Sequence, residues 1–349
     1  MDILNGSVLT DAGIIKGYVC IEGGKVTAIE EGRVPKAPIA TGLIVAPMVN
    51  AHSHCGDRGL RGKIPEGVSL EELVGPPNGL KHRHLREISE QDLRKNIKEY
   101  AEASRGSGIG TFIDFREGGV KGCSVLRDAA PEATIMGRPV SKEYDPEEIS
   151  KILDIADGIG ISGIADMDHS YIENVADQVR ERGKMFSIHA SENRREDIDL
   201  ILSFDPAFVV HMVHATDSDI LKCAETDVPI VVCARSNSFF RLIPPIKRMM
   251  DCGVDIAIGT DNAMLCDPDM RSEASAFRDV LLKQGGSEED IIAPMLTNGR
   301  KLLYPNNKIY VTAGMTADLT VLPYAGEFRI NGILTCKDSI FRYGPEKRR

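Results

Sequence analysis

Five of the eight histidines in this 349-residue chain stand at or just past the ends of short apolar runs, beside a small number of carboxylates. The run Leu43–Val49 leads into Asn50-Ala-His52-Ser-His54, and residues two apart on a strand share a face, so both imidazoles can converge on one ion. Met185-Phe-Ser-Ile-His189 ends in a third imidazole, with Glu192 three residues on in the loop above it. Ile256-Ala-Ile-Gly-Thr260 ends in Asp261-Asn262. Three imidazoles and one carboxylate are a chemically sensible set for Zn²⁺, Fe²⁺ or Mn²⁺. A divalent ion so held lowers the pKa of bound water toward about 7, which supplies hydroxide near neutral pH.

Two further histidine pairs read differently. Phe208-Val-Val-His211-Met-Val-His214 offers His211 at the end of its run as a catalytic group outside the ligand set, with His214 in the following turn as a structural residue. His82-Arg-His84 follows the loop Gly75-Pro-Pro-Asn-Gly79 with no strand beneath it and reads as a lid or surface segment.

The elements that must position these groups repeat. Strand candidates Leu43–Val49, Gly110–Phe115, Thr134–Met136, Gly158–Ile164, Met185–His189, Phe208–His211, Ile230–Cys233 and Asp255–Ile258 alternate with amphipathic stretches such as Glu90–Gly106 and Tyr171–Gly183. Eight βα units over this length predict an α/β fold, a (β/α)8 TIM barrel, whose C-terminal strand ends form the active-site face. An open doubly wound sheet fits the same local pattern. Gly158-Ile-Gly-Ile-Ser-Gly163 matches the dinucleotide GxGxxG, but Asp177 and Glu181 fall in a helix rather than at a strand end, so an ordinary barrel strand is preferred.

Both ends of the chain are β-rich. Gly17–Glu22 and Lys25–Glu30 flank Gly23-Gly24 as a hairpin, and Ala317–Leu322 and Glu327–Ile330 read as short strands. Residues 1–44 and 309–349 are therefore expected to form a small composite β-sandwich domain around a catalytic barrel at 45–308.

A net charge of −10 works against nucleic-acid binding, and the basic end Lys347-Arg-Arg349 reads as a solvated tail. No apolar run approaches the roughly 18 residues of a membrane span. Eight cysteines stand singly without a CxxC pair and read as reduced, mostly buried thiols. No signal sequence is evident, and a cytoplasmic location is expected.

As a set, these strand-end motifs resemble the amidohydrolase superfamily, nearest its chlorohydrolase and aminohydrolase branch, which contains the cytosine, guanine and S-adenosylhomocysteine deaminases. Cys233-Ala-Arg-Ser236-Asn237 is similar to that branch's Cys-Pro-x-Ser-Asn, with Ala234 in place of proline. Thr297-Asn-Gly-Arg300 and Ala313-Gly-Met-Thr-Ala-Asp318-Leu319 are similar to its end-of-barrel signature. The resemblance implies His52, His54, His189 and Asp261 as metal ligands, Glu192 as the proton-shuttling acid, and His211 as the group that polarises the reacting centre. Asp261 would also accept a proton from the nucleophilic water.

The resemblance further implies one divalent ion per chain, zinc ahead of iron(II) or manganese(II), because the fourth strand candidate lacks the lysine that binuclear members carboxylate. The implied activity is a metal-dependent deaminase that releases ammonia from a small aminated heterocycle such as a purine, pyrimidine, pterin or nucleoside. Hydrolysis of a cyclic amide or a carbon–halogen bond at the same site, or a non-catalytic metal-binding role, are the alternatives. Arg61, Arg116, Ser236 and Asn237 are candidate substrate contacts, each with a structural alternative. Asp166 and Asp168 are read first as helix caps. A homo-oligomer is suggested by the family.

Overall fold

In a computed structural model the chain is described for residues 1–304 and 309–344. The basic end at Lys347–Arg349 and the expected boundary at 308 lie outside the described residues.

Two sheets carry the fold. The first unites both ends of the chain: β1 (Asp2–Thr10), β2 (Gly13–Glu22), β3 (Lys25–Glu31), β4 (Ala40–Val45), β14 (Leu319–Leu322) and β15 (Phe341–Tyr343), in the order β15-β14-β4-β1-β2-β3. The Gly23-Gly24 hairpin forms as expected, with both glycines in the left-handed region that such a turn requires. Glu327–Ile330 does not form a strand. Ile330 instead opens the helix Ile330–Thr335, and the last strand is β15.

The second sheet consists of nine parallel strands: β5 (Met48–His54), β6 (Ile109–Arg116), β7 (Thr134–Gly137), β8 (Gly158–Ile161), β9 (Met185–Ala190), β10 (Phe208–His211), β11 (Ile230–Val232), β12 (Ile256–Ile258) and β13 (Asp261–Asn262). Their intervening segments are mostly helical, among them Glu90–Gly106 and His169–Glu181. Val49, Ala51, Ile113, Phe115, Phe208 and Val210 are among the side chains that fill the interior, a packed core rather than a pore.

The apolar run Leu43–Val49 is not one strand. Its first part belongs to β4 in the end sheet, and after Ala46-Pro47 the chain starts again as β5 in the barrel. Proline supplies no backbone donor, so the ladder cannot continue through it.

The last barrel strand is likewise divided, and this closes the ring. β12 pairs with β11, and after Gly259-Thr260 the chain continues as β13, which pairs in parallel with β5. Gly259 is required there, because a Cβ would lie 2.6 Å from the backbone nitrogen of His52. The seam is held by polar side chains. Asn50 Nδ2 donates to Thr260 Oγ1 at 2.7 Å and to the Tyr100 hydroxyl at 3.0 Å, and Thr260 N–H donates to Asn50 Oδ1 at 2.9 Å. All three residues are fully buried.

The dinucleotide-like glycines pack against neighbours instead of cradling a phosphate. A Cβ on Gly158 would strike the Met185 carbonyl oxygen, and one on Gly160 would strike the ring of Phe115. The following helix begins only at His169, capped by Asp168, whose carboxylate accepts from Ser170 N–H at 2.9 Å. The barrel-strand reading of this segment therefore stands over the nucleotide one.

Removing the amide of Asn50 would leave Thr260 N–H buried and unpaired. Asn50→Ala is expected to cost about 2–4 kcal/mol of stability, read as a lower urea midpoint.

Candidate metal centre

The two histidines of β5 reach the barrel mouth through a shift in register. Val49 and Ala51 face the interior, yet His52 and His54, on the opposite parity, also turn inward, and the pairing of β5 with β6 shifts between Asn50 and Ser53. Such irregularities re-aim side chains beside functional sites. Asp261 of β13 lies in register with Ser53, between the two imidazoles.

The donor atoms converge. His52 Nε2 lies 3.2 Å from His189 Nε2 and 3.4 Å from Asp261 Oδ1, and His54 Nε2 lies 3.6 Å from the same oxygen. Ligands set tetrahedrally about 2.0–2.2 Å from an ion stand about 3.4 Å apart, close to these three separations, and the donor atoms of His52, His54 and Asp261, like those of His52, His189 and His211, lie within 4.8 Å of one another. The other ring nitrogens fix the tautomers. His54 Nδ1 sits 3.1 Å from both the Phe115 carbonyl and Glu117 Oε1, and His189 Nδ1 sits 2.9 Å from the Ile161 carbonyl. These are all acceptors, so each Nδ1 carries the proton and each Nε2 offers its lone pair to the centre.

Charge tuning agrees with this role. Burial, together with the neighbouring imidazoles, lowers His52 to about 4 and His189 well below its ordinary value, so both are neutral at pH 7 and free to ligate. Burial would raise Asp261, but the hydrogen bond with His52 and the surrounding histidines hold it well below the usual carboxylate range. Ser236 Oγ donates to Asp261 Oδ2 at 2.5 Å, which leaves Oδ1 for the ion. Phe115 forms the floor, with its ring edge-on to His52 at 4.6 Å and to His189 at 5.0 Å.

Above the ligands a cavity of about 360 Å³ opens, lined by Glu192, His211, Arg138, Lys81 and His82 among others. His211 departs from strand alternation: Phe208 and Val210 face inward, and a φ of 77° at His211 turns its ring to the cavity as well. Asp261 is also left-handed, with φ 56°. Strained backbone of this kind costs on the order of 1–3 kcal/mol and persists where the surroundings impose it. His211 Nε2 lies 3.5 Å from Glu192 Oε1, and its Nδ1 lies 3.3 Å from the Asn237 amide nitrogen. Burial, with the nearby Asp261 carboxylate, raises Glu192 to about 8, and burial lowers His211 to about 4.

The structure thus brings His52, His54, His189, Asp261, Glu192 and His211 to one mouth. Ser236 and Asn237 are fully buried and orient Asp261 and His211 instead of facing the cavity. The two arginines expected near substrate are engaged elsewhere. Arg61 is paired at the surface with Asp267 at 2.6 Å. Arg116 is 1% exposed and bound to Glu117 at 2.6 Å. Neither lines the cavity. His214 is exposed. Asp166 lines the cavity, whereas Asp168 is the helix cap.

Sequence reasoning missed a buried charge cluster. Lys81, on the helix Leu80–Glu87 that also carries His82 and His84, is 3% exposed, and its Nζ lies 2.7 Å from Glu117 Oε1 and 4.0 Å from Asp57 Oδ2. Burial would raise Glu117, but Lys81, His54 and Arg116 hold it well below the ordinary carboxylate range. Glu117 therefore stands as a carboxylate behind His54. No spacing rule marks Lys81, but Glu117 follows the end of a barrel strand. The same strand-end signal would have singled out Arg138, which follows Gly137 directly.

The sequence matches the profile described as "Amidohydrolase family" over residues 43–335, and the chain belongs to that family. It is accordingly a metal-dependent hydrolase acting on carbon–nitrogen bonds. An uncharacterized protein of Methanocaldococcus jannaschii is 32% identical, with 91% of this chain and 85% of that one covered. A 5-methylthioadenosine/S-adenosylhomocysteine deaminase of Haloquadratum walsbyi is 27% identical over 75% of this chain and 69% of its own. Among solved structures, an adenosine deaminase from Xanthomonas campestris with bound zinc superposes with a TM-score of 0.78 at 17% identity, covering 95% of this chain and 88% of that one. No helix among the described residues is long and apolar enough to cross a membrane.

Glu117→Gln keeps the shape but removes the charge behind His54. Its affinity for Zn²⁺, measured by competition with a chelator, should fall about 10- to 100-fold.

Proposed function

We propose that the protein is a deaminase that releases ammonia from a small aminated heterocycle, using one divalent ion held by His52, His54, His189 and Asp261. Zinc is the first choice, supported by the imidazole-rich donor set and by its close donor separations. The absence of lysine from β8 supports a single ion, since no residue there could supply a bridging carbamate. When bound, the ion supplies Lewis acidity and a nucleophilic water at neutral pH.

The observation that carries the reading is Glu192. It lies in the cavity beside the ligands, where burial and the nearby Asp261 carboxylate push its carboxyl up to about 8 and so favour the protonated form at neutral pH. A neutral carboxyl can give its proton to a ring nitrogen and later to the departing amine. His211, neutral and held by Asn237, faces Glu192 across the cavity and can stabilise charge on the reacting carbon's substituent. Asp261 can accept a proton released at the ion. The free cysteines, most of them buried, support a reducing, cytoplasmic setting.

The test is ammonia release from a panel of aminated purines, pyrimidines, pterins and nucleosides, with protein loaded separately with Zn²⁺, Fe²⁺ or Mn²⁺. Glu192→Gln should lower the rate by about 10²- to 10⁴-fold. Glu192 must be protonated to act as an acid, so kcat/KM should fall above about pH 8, while protonation of the nucleophilic hydroxide should lower it on the acid side of about pH 7. Metal bound at one per chain with no ammonia from any compound would overturn the reading.

A further inference from the structure

The cavity above the metal ligands is lined largely by polar and charged side chains. Among the described residues no phenylalanine or tyrosine faces it, and the chain has no tryptophan. The aromatic faces a ring could meet here are imidazoles, His82 and His211 among them, and not the larger phenyl or indole faces. Charged and polar side chains, Lys81, Arg138, Asp166, Glu192 and Arg194 among them, make up much of the rest of the lining.

Arg138 is the side chain placed to supply a polar contact. It follows β7 directly, on the C-terminal rim of the barrel, and it lines the cavity. Its backbone is tied down on both sides: its N–H donates to the Arg116 carbonyl at 2.8 Å, and its carbonyl accepts from Gly119 N–H at 3.2 Å. Its guanidinium has no hydrogen bond and no carboxylate within ion-pair distance among the described residues. Most arginines in this chain are paired; Arg58, Arg61, Arg116, Arg127, Arg195 and Arg235, for example, all hold carboxylates.

The carboxylates in the cavity do not take its place. Glu192 faces His211, and Glu196 is held by Ser191 N–H at 2.8 Å. Asp166 and Glu117 act on Arg138 through their charge without contact, and burial still pulls its guanidinium below its ordinary value. Arg138 is half-buried, so water reaches its donors, and a ligand anion that displaced this water would meet an unpaired cation already partly shielded from solvent. Arg194, exposed at the same mouth on the loop that carries Glu192, adds a second cation.

Resting on the deaminase reading, we propose that the substrate carries an anionic group, a carboxylate or a phosphate, which pairs with Arg138 while the aminated ring lies over the metal ligands. The group serves as a handle, and a planar guanidinium suits either anion in a two-pronged pair.

The test uses rings that lack the amine, so that a deaminase cannot turn them over. Binding to the zinc-loaded protein is measured by calorimetry for uracil against orotate and for uridine against uridine 5′-monophosphate, with inorganic phosphate as a bare anion. The expected result is a preference of at least about tenfold for the anionic member of one pair. A carboxylate handle favours orotate alone, and a phosphate handle favours the nucleotide together with inorganic phosphate. Arg138→Gln should abolish the preference, and Arg138→Lys should retain part of it. Zinc content and circular dichroism equal to wild type would show that both variants fold.

Equal binding within both pairs, or a preference that survives in Arg138→Gln, overturns the proposal. The two readings fail separately. An Arg138-dependent preference with no ammonia from any amino compound sinks the deaminase and leaves the anion site. Ammonia released from neutral rings, with equal binding within both pairs, does the reverse.

Discussion

The seam where Asn50 meets Thr260 is the constraint on which the rest of the site depends. A barrel strand has two neighbours, and β5 meets its second neighbour only because the chain divides after β12 and resumes as β13. The Asn50 amide satisfies both backbone and side chain of Thr260 in a place that water does not reach. One residue beyond Thr260 is Asp261, and two beyond Asn50 is His52. The hydrogen bonds that close the ring therefore also set the separation of the carboxylate from the imidazoles. A seam that slipped by one residue would send Asp261 to the other face and dismantle the donor set.

Around that seam the chain spends much polar and charged material in places without solvent. Asp114 accepts from Cys55 N–H, Asp57 accepts from Met264 N–H, and Arg116 bridges Asp114 and Glu117. Gly56 leaves room for the Arg116 guanidinium, which a Cβ would strike. Buried ion pairs of this kind contribute little net stability, but they leave few alternative arrangements once each member has its partner. Here they hold the loop after β5 and the helix bearing Lys81 against the back of His54, so the orientation of one ligand is shared with a segment distant in sequence.

Much of the barrel could be read from the amino acids. Short apolar runs at βα spacing mark the strands, and Glu90–Gly106 is helical over the residues its pattern indicates. The six chemical residues were legible because each follows an apolar run and so falls on the rim. What escaped has a physical explanation. Leu43–Val49 is uniformly apolar, and composition does not reveal that Ala46-Pro47 passes it from one sheet to another. Glu327–Ile330 resembles a strand locally, but tertiary packing makes Ile330 the first residue of a helix that buries Ile333 and Leu334. Arg61 and Arg116 stood near the right loops, and only three-dimensional placement shows that carboxylates already hold them. Lys81 lies on a helix between β5 and β6, where neither periodicity nor spacing distinguishes a buried lysine from a solvated one.

The cavity divides labour along the chain. The ligands and proton-carrying groups stand on or just after β5, β9, β10 and β13, braced by the seam and by Ser236 and Asn237, whereas Arg138 and the helix with Lys81 and His82 come from other segments. Residues such as Arg138 and His82 can be exchanged without disturbing a donor atom of the metal centre. Changes in the loop after β7 and in the Lys81 helix between β5 and β6 would therefore alter what the cavity admits while leaving the donor atoms in place.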